Sequence, residues 1–240
     1  MELSLNEKKK LKNIFDNIEG MLTEEDMEFL YNRARDCESR KGVIVEIGAW
    51  KGRSTICLGK GSKTGNQVKI YSIDPHKSTS LHKVTNCLDT YAEFLKNIQI
   101  AEVDDVILPI VKTSQEAAET FNEPIQFLFI DGEHDYENVK LDLQLWYPKL
   151  IYGGLIAFHD YGLSGPRRII ERYIYNSKHF KNVNFVGFIC FAKKVKRNSL
   201  RDRLRNMILF FLDKCAFLYH RIPIRKPIIK LRMKVRTIIK

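Results

Sequence analysis

Two short stretches hold most of the side chains able to do chemistry in this sequence. Asp131-Gly132-Glu133-His134 closes the apolar run Phe127-Leu128-Phe129-Ile130, and His159-Asp160 closes Leu155-Ile156-Ala157-Phe158. Each delivers an imidazole and a carboxylate to the end of an expected strand. An unperturbed histidine titrates at about 6.5, so its neutral form is available near pH 7. His134, just beyond Asp131, is the candidate general base, and Asp131 belongs to the same candidate catalytic pair. Two carboxylates beside a histidine are costly unless a cation or donors compensate. Asp131, His159 and Asp160 therefore form a candidate divalent-metal set. Mg²⁺ prefers oxygen ligands, whereas Mn²⁺ tolerates imidazole better. Plainer roles compete: His134 shaping its loop through Asp131 or Asp135, Asp160 capping the next segment, His159 bonding substrate.

The elements that must position these groups alternate along the chain. Apolar runs predict strands at 43–47, 68–73, 106–111, 126–130, 154–159 and 184–192. Helical patterns fall at 52–60, 86–100, 114–121, 136–149 and 166–176, with Gly153-Gly154 expected to end the helix before the fifth strand. Such alternation gives βαβ units and a parallel sheet, because each crossover helix returns the chain to the same edge. The fold class is α/β: a Rossmann-like, mostly parallel sheet with helices on both faces. In an open parallel sheet, ligands bind beyond the carboxyl ends of the strands. The first strand ends in Gly48-x-x-x-Gly52, a tight turn that is not G-x-G-x-x-G and that carries Trp50 and Lys51 inside it. The second ends in Asp74, placed to accept hydrogen bonds from both hydroxyls of a ribose. Together these strand ends indicate an enzyme holding a nucleoside-type cofactor. Residues 1–40 read as a helical segment packed beside the sheet, with Thr23-Glu24-Glu25-Asp26 as a helix start.

Size and charge narrow the class. The 240 residues suffice for one large α/β domain. No cationic-then-apolar leader opens the chain, and no apolar run nears the roughly 20 residues of a spanning helix. This predicts a cytoplasmic protein. The cysteines Cys37, Cys57, Cys87, Cys190 and Cys215 are scattered and never form C-x-x-C, which fits reduced thiols and argues against a zinc site. The net charge of +11 is uneven: residues 193–240 hold 16 Lys/Arg and 2 Asp/Glu, the rest 24 and 27. The main domain therefore gives no general case for nucleic-acid binding.

Glu46-x-Gly48-x-x-x-Gly52, Ser72-Ile73-Asp74 and Phe129-Ile130-Asp131-Gly132-x-His134-x-Tyr136 resemble the class I S-adenosylmethionine-dependent methyltransferases. The likeness is greatest to the small-molecule O-methyltransferase branch found beside sugar and antibiotic biosynthesis. Asp131 to Glu137, Trp146, Gly153-Gly154 and His159-Asp160-Tyr161 are its most specific part, and it covers about residues 41–192. The resemblance implies a seven-stranded sheet ending in an antiparallel hairpin. It implies that Gly48, Ala49, Trp50 and Gly52 wrap the methionine part of the cofactor, with Glu46 and Ser54 nearby. Asp74 would hold the ribose, Ser114 would lie near adenine, and Asp131 would sit between methionine and acceptor. Metal-dependent members use acidic groups at the ends of the fourth and fifth strands; His159 departs from that pattern. Methyl transfer to a hydroxyl of a sugar, glycan or related polar acceptor is the expected activity. Tyr161, Arg167, Arg168, His76 and His82 are candidate acceptor contacts, the arginines suiting a phosphate.

The tail, 193–240, lies outside the resemblance. Leu204, Ile208, Phe211, Leu212, Cys215 and Leu218 recur at helical spacing among Arg201, Arg203, Arg205 and Lys214, and Pro223 and Pro227 break the helix beyond them. A basic, aromatic-aliphatic helix suits an anionic membrane surface, here the inner face. Packing on the domain, homodimerisation and an RNA-binding arm are the alternatives. The last would make the protein an RNA methyltransferase; a non-catalytic methyltransferase-like binding module is the competing class.

Overall fold

Val43-Ile44-Val45 and Phe127-Leu128-Phe129-Ile130 are apolar on both faces, a pattern that only strands covered on both sides can bury. The computed structural model describes residues 18–77 and 90–220, the last five as backbone alone. It places five such strands in parallel: β1 (Val43–Ile47), β2 (Ile70–Ile73), β3 (Ile107–Ile110), β4 (Ile125–Ile130) and β5 (Leu150–Phe158). An antiparallel hairpin, β6 (Phe180–Val186) and β7 (Ile189–Lys194), completes a seven-stranded sheet in the order β3-β2-β1-β4-β5-β7-β6. The order reverses between β1 and β4. Their carboxyl ends thus open the crevice in which ligands of doubly wound sheets bind.

Helices cover both faces: α1 (Glu24–Arg35), α2 (Arg53–Thr64), α3 (Tyr91–Ile100), α4 (Ser114–Thr120), α5 (Tyr136–Trp146), α6 (Ser164–Ile169) and α7 (Leu200–His220). A π-helical stretch, Ile170–Tyr175, extends α6. One apolar layer gathers Leu30, Ile44, Ile56, Leu58, Phe94 and Phe127; the other gathers Val45, Leu128, Trp146, Ile156 and Ile174. Reciprocal capping boxes start α1 (Thr23 with Asp26) and α4 (Thr113 with Glu116), while Asp135 caps α5. The expected start at Thr23 is therefore where a helix begins.

Two expectations change. Gly153-Gly154 does not end a helix. Both lie inside β5, where the register with β4 jumps from Ile125↔Leu150 to Phe127↔Leu155. Gly153 has φ +88°, a bulge conformation that favours glycine. The expected strand 184–192 is instead the β6–β7 hairpin, because Gly187 (φ +51°) turns the chain back.

Candidate active site

The turn after β1 is held by β2. Asp74 Oδ2 accepts the Ala49 and Trp50 N–H groups at 2.9 and 2.8 Å, and its Oδ1 accepts the His76 N–H at 2.7 Å. The carboxylate expected to hold a ribose thus also fixes the backbone of the turn. Gly48 (φ +87°) approaches the end of β4 so closely that a Cβ there would collide with the Asp131 carbonyl. Glycine at this position is what lets the two strand ends meet at the switch point.

Beneath the turn lies Glu46, fully buried on β1. Its Oε2 accepts hydroxyl donors from Thr55 and Ser72, while Oε1 is buried without a partner. Burial pushes this carboxyl up to about 7, against the hydroxyls of Ser54, Thr55 and Ser72, which favour the charged form. An orphaned buried carboxylate oxygen fits a cationic donor such as the ammonium of a methionine moiety. Ser114 sits in the first turn of α4, where its Oγ accepts the Trp146 indole N–H at 2.8 Å. Asp142 on α5 also bonds Ser114, and burial raises its carboxyl to about 6. Sequence reading passed over Asp142; a lone acid between Leu141 and Leu143 gave little signal.

The β4–β5 register, Ile130↔Phe158, sets Asp131 beside His159. His159 Nδ1 lies 3.0 Å from Asp131 Oδ1 and 3.6 Å from Asp160 Oδ2, and Nε2 lies 3.9 Å from Asp26 Oδ2. Burial opposes charge on this ring. Asp131 above all, with Asp160 and Asp26, outweighs it and pushes the imidazole up to about 12. His159 Nδ1 is thus engaged by the carboxylates of the rim. The ligand atoms that converge belong instead to Asp131, His134 and Asp160, all within 4.8 Å of one another. His134 Nε2 is 3.8 Å from Asp131 Oδ1 and 3.4 Å from Asp160 Oδ2, beyond hydrogen-bond reach of the first and poorly bonded to the second. The Asp131 carboxylate raises His134 above its ordinary value, against the opposing effect of burial. Asp160 carries φ +49°, an uncommon backbone state that re-aims its side chain at the rim. Two carboxylates and one imidazole nitrogen make an O₂N donor set that fits a divalent ion of the Mn²⁺ type.

Three expected acceptor contacts are engaged within the protein. Tyr161 is buried, its ring 4.6 Å from Phe185, because the apolar layer beneath β5 claims it. Arg167 pairs with Glu171 at 3.2 Å and with Asp213 of α7 at 3.1 Å, so its charge clamps the tail helix. His76 is buried against Tyr91 and Phe94, with Nδ1 3.0 Å from Thr90 Oγ1. Arg168 lies over the Tyr136 ring at 4.3 Å, and His82 is outside the described residues. Asp26 has a second role that sequence reading missed. Besides capping α1 it accepts the Phe188 N–H at 2.8 Å and faces His159. A capping box accounts for an acid at that position, so no further signal was visible.

Residues 45–161 match the family model described as a methyltransferase domain. A protein of Acanthamoeba polyphaga mimivirus is 30% identical over 156 residues, covering 63% of this chain and 66% of that protein. The chain thus spans just under two thirds of that relative. Among solved structures, the O-methyltransferase of Bacillus cereus in complex with S-adenosylhomocysteine superposes with a TM-score of 0.55 at 18% identity, over 80% of this chain and 92% of that one. MycE, solved with Mg and S-adenosylhomocysteine, gives 0.52 at 16% identity, over 80% of this chain and 55% of that one. At such identities the likeness is one of fold. Residues 45–161 thus match a methyltransferase domain, and the fold is the Rossmann-like one shared with these solved O-methyltransferases.

Proposed function

We propose that this protein moves the methyl group of S-adenosylmethionine to a hydroxyl of a sugar, glycan or related small polar acceptor, with a divalent cation held by Asp131, His134 and Asp160. The observation that carries this reading is the convergence of those three ligand atoms at the switch-point rim, beside the glycine turn. The turn from Gly48 to Gly52, with Ala49 and Trp50, Ser54 behind it and Glu46 beneath, would seat the methionine end. Asp74 and Ser114 would face the ribose and adenine. Held by Asp131, His134 and Asp160, such a cation would supply Lewis-acid polarisation of the acceptor hydroxyl.

His134 has one nitrogen at the cluster and two possible uses for it. A proton acceptor must be neutral, yet Asp131 holds this imidazole above its ordinary value. Both uses need the neutral imidazole, so this shift does not choose between them; the convergence with Asp131 and Asp160 is what supports the ligand role. His159 acts behind the cluster, holding the Asp131 carboxylate through Nδ1 while Asp26 faces its Nε2. Alignment of hydroxyl and methyl in line supplies on the order of 7–11 kcal/mol at best.

The test is methyl transfer from labelled S-adenosylmethionine to a panel of free and nucleotide-linked sugars, before and after chelation. Mn²⁺ or Mg²⁺ should restore turnover. Full turnover in the chelated enzyme removes the cation from the reading, and labelled RNA with unlabelled sugars removes the acceptor class.

A further inference from the structure

Helix α7 presents different chemistry to its two sides. One side docks on the domain through polar as well as apolar groups. Asn206 Nδ2 donates to the Phe180 carbonyl at 3.2 Å, the Phe210 ring lies 5.1 Å from that of Tyr175, and Asp213 meets Arg167. The opposite side holds Leu200, Leu204, Met207, Ile208 and Phe211, whose exposures are 76, 59, 59, 47 and 68%. Their spacing is i, i+4, i+7, i+8 and i+11. At about 100° per residue they fall within one stripe roughly 100° wide. Arg201 and Arg205 fall along one edge of it, and Arg203 and Lys214 along the other. Contiguous exposed apolar surface of this kind marks an interaction site.

We propose that this face of α7 is a docking surface for an anionic lipid leaflet. An apolar stripe bordered on both sides by long cationic side chains suits the boundary between headgroups and acyl chains. The stripe enters the acyl region while the cations snorkel to lipid phosphates. The next segment, 221–240, adds eight Lys/Arg and no Asp/Glu, interspersed with Ile222, Ile224, Ile228 and Ile229. Each basic residue near such a leaflet adds attraction. At the Lys214 edge a cavity of about 330 Å³ opens between α5, the α6 extension and α7, with Arg168, Arg172 and Lys214 in its walls beside Glu171, which pairs with Lys214 at 3.7 Å. It offers a basic recess for a headgroup phosphate beside the stripe. Charge disfavours a second copy as occupant, since apposed tails would each bring 16 Lys/Arg against 2 Asp/Glu. An RNA backbone would meet the cations but leave the apolar stripe in water.

The experiment is co-sedimentation of the full-length protein with vesicles of phosphatidylcholine alone or mixed with phosphatidylglycerol. Binding is expected to the mixed vesicles only. The double variant Leu204→Asp/Phe211→Asp should lower that partition at least about tenfold. It should keep its thermal midpoint and its affinity for S-adenosylhomocysteine, because both side chains face solvent and neither lies at the active site. Arg201→Gln/Arg205→Gln should weaken binding less, and steeply with salt. Undiminished binding by the Asp double variant overturns the proposal. So does a wild-type dimer by sedimentation velocity that this variant dissolves without any vesicle binding, or RNA affinity that exceeds vesicle affinity. None of these outcomes bears on methyl transfer, so the two readings fail separately.

Discussion

Replacing Glu46 by Gln should stabilise the cofactor-free protein at alkaline pH while weakening its hold on the cofactor. Burial raises this carboxyl to about 7 in the folded state, from an ordinary 4.5 in the unfolded chain. Between those values the folded protein keeps a proton that the unfolded chain releases, so stability falls as pH rises. From pH 5 to pH 8 the loss attributable to Glu46 is roughly 2.5 kcal/mol. Gln has the same shape and keeps an oxygen for Thr55 and Ser72, but it has no charge to desolvate. Urea unfolding of wild type and Glu46→Gln, without cofactor, should therefore give a stability difference that grows in favour of Gln by about 2–3 kcal/mol between pH 5 and pH 8. Other titrating groups are common to both proteins and cancel. Titration calorimetry should show the variant binding S-adenosylhomocysteine at least about tenfold more weakly, as expected for loss of a charged hydrogen bond. A difference that is the same at both pH values would show Glu46 to be ionised in the folded protein and would refute the burial argument. Unchanged affinity would refute the assignment of its orphaned oxygen to the methionine ammonium.

Other perturbations have equally definite outcomes. His134→Ala should cut turnover at least about 100-fold and leave S-adenosylhomocysteine affinity unchanged; unchanged turnover would remove His134 from the chemistry. Asp160→Asn should abolish stoichiometric Mn²⁺ binding, read by electron paramagnetic resonance, if the cluster is the cation site. Arg167→Met removes one half of the buried pair with Asp213 and should cost about 3 kcal/mol in urea unfolding, recovered largely by Arg167→Met/Asp213→Leu. Gly48→Ala should yield little soluble protein, because φ +87° and the Asp131 carbonyl both oppose a Cβ, and recovery of wild-type yield and stability would contradict the close approach of β1 to β4.

How much of this was legible in the sequence varies by residue. The runs at Val43–Ile47 and Ile125–Ile130 announced buried strands, being short, rich in β-branched and aromatic residues and closed by glycine or a carboxylate. Gly48, Asp74 and Asp131 could be placed at strand ends by counting along those runs. Tyr161 and Arg167 could not be judged that way. Both follow Asp160 closely, yet one turns into the apolar layer and the other into an ion pair with a helix some forty residues on. Gly153-Gly154 looked like a helix stop because local rules cannot tell a helix end from a bulge. The distinction rests on β4 lying alongside.

By itself the sequence determined the order of strands and helices, the glycine turn, the acidic strand ends and the segregation of positive charge into the tail. These features stem from local periodicity and from which residue types end a strand. Tertiary structure set how the two histidines stand around the acidic rim. Register puts His159 directly against Asp131, where Asp26, from a helix more than a hundred residues earlier, faces its other nitrogen. His134 comes in over the rim because α6 packs closely on its backbone at Gly165. Tertiary structure also decided which face of α7 is covered. Helical spacing reveals that a stripe exists, but only docking through Asn206, Phe210 and Asp213 leaves that stripe facing out.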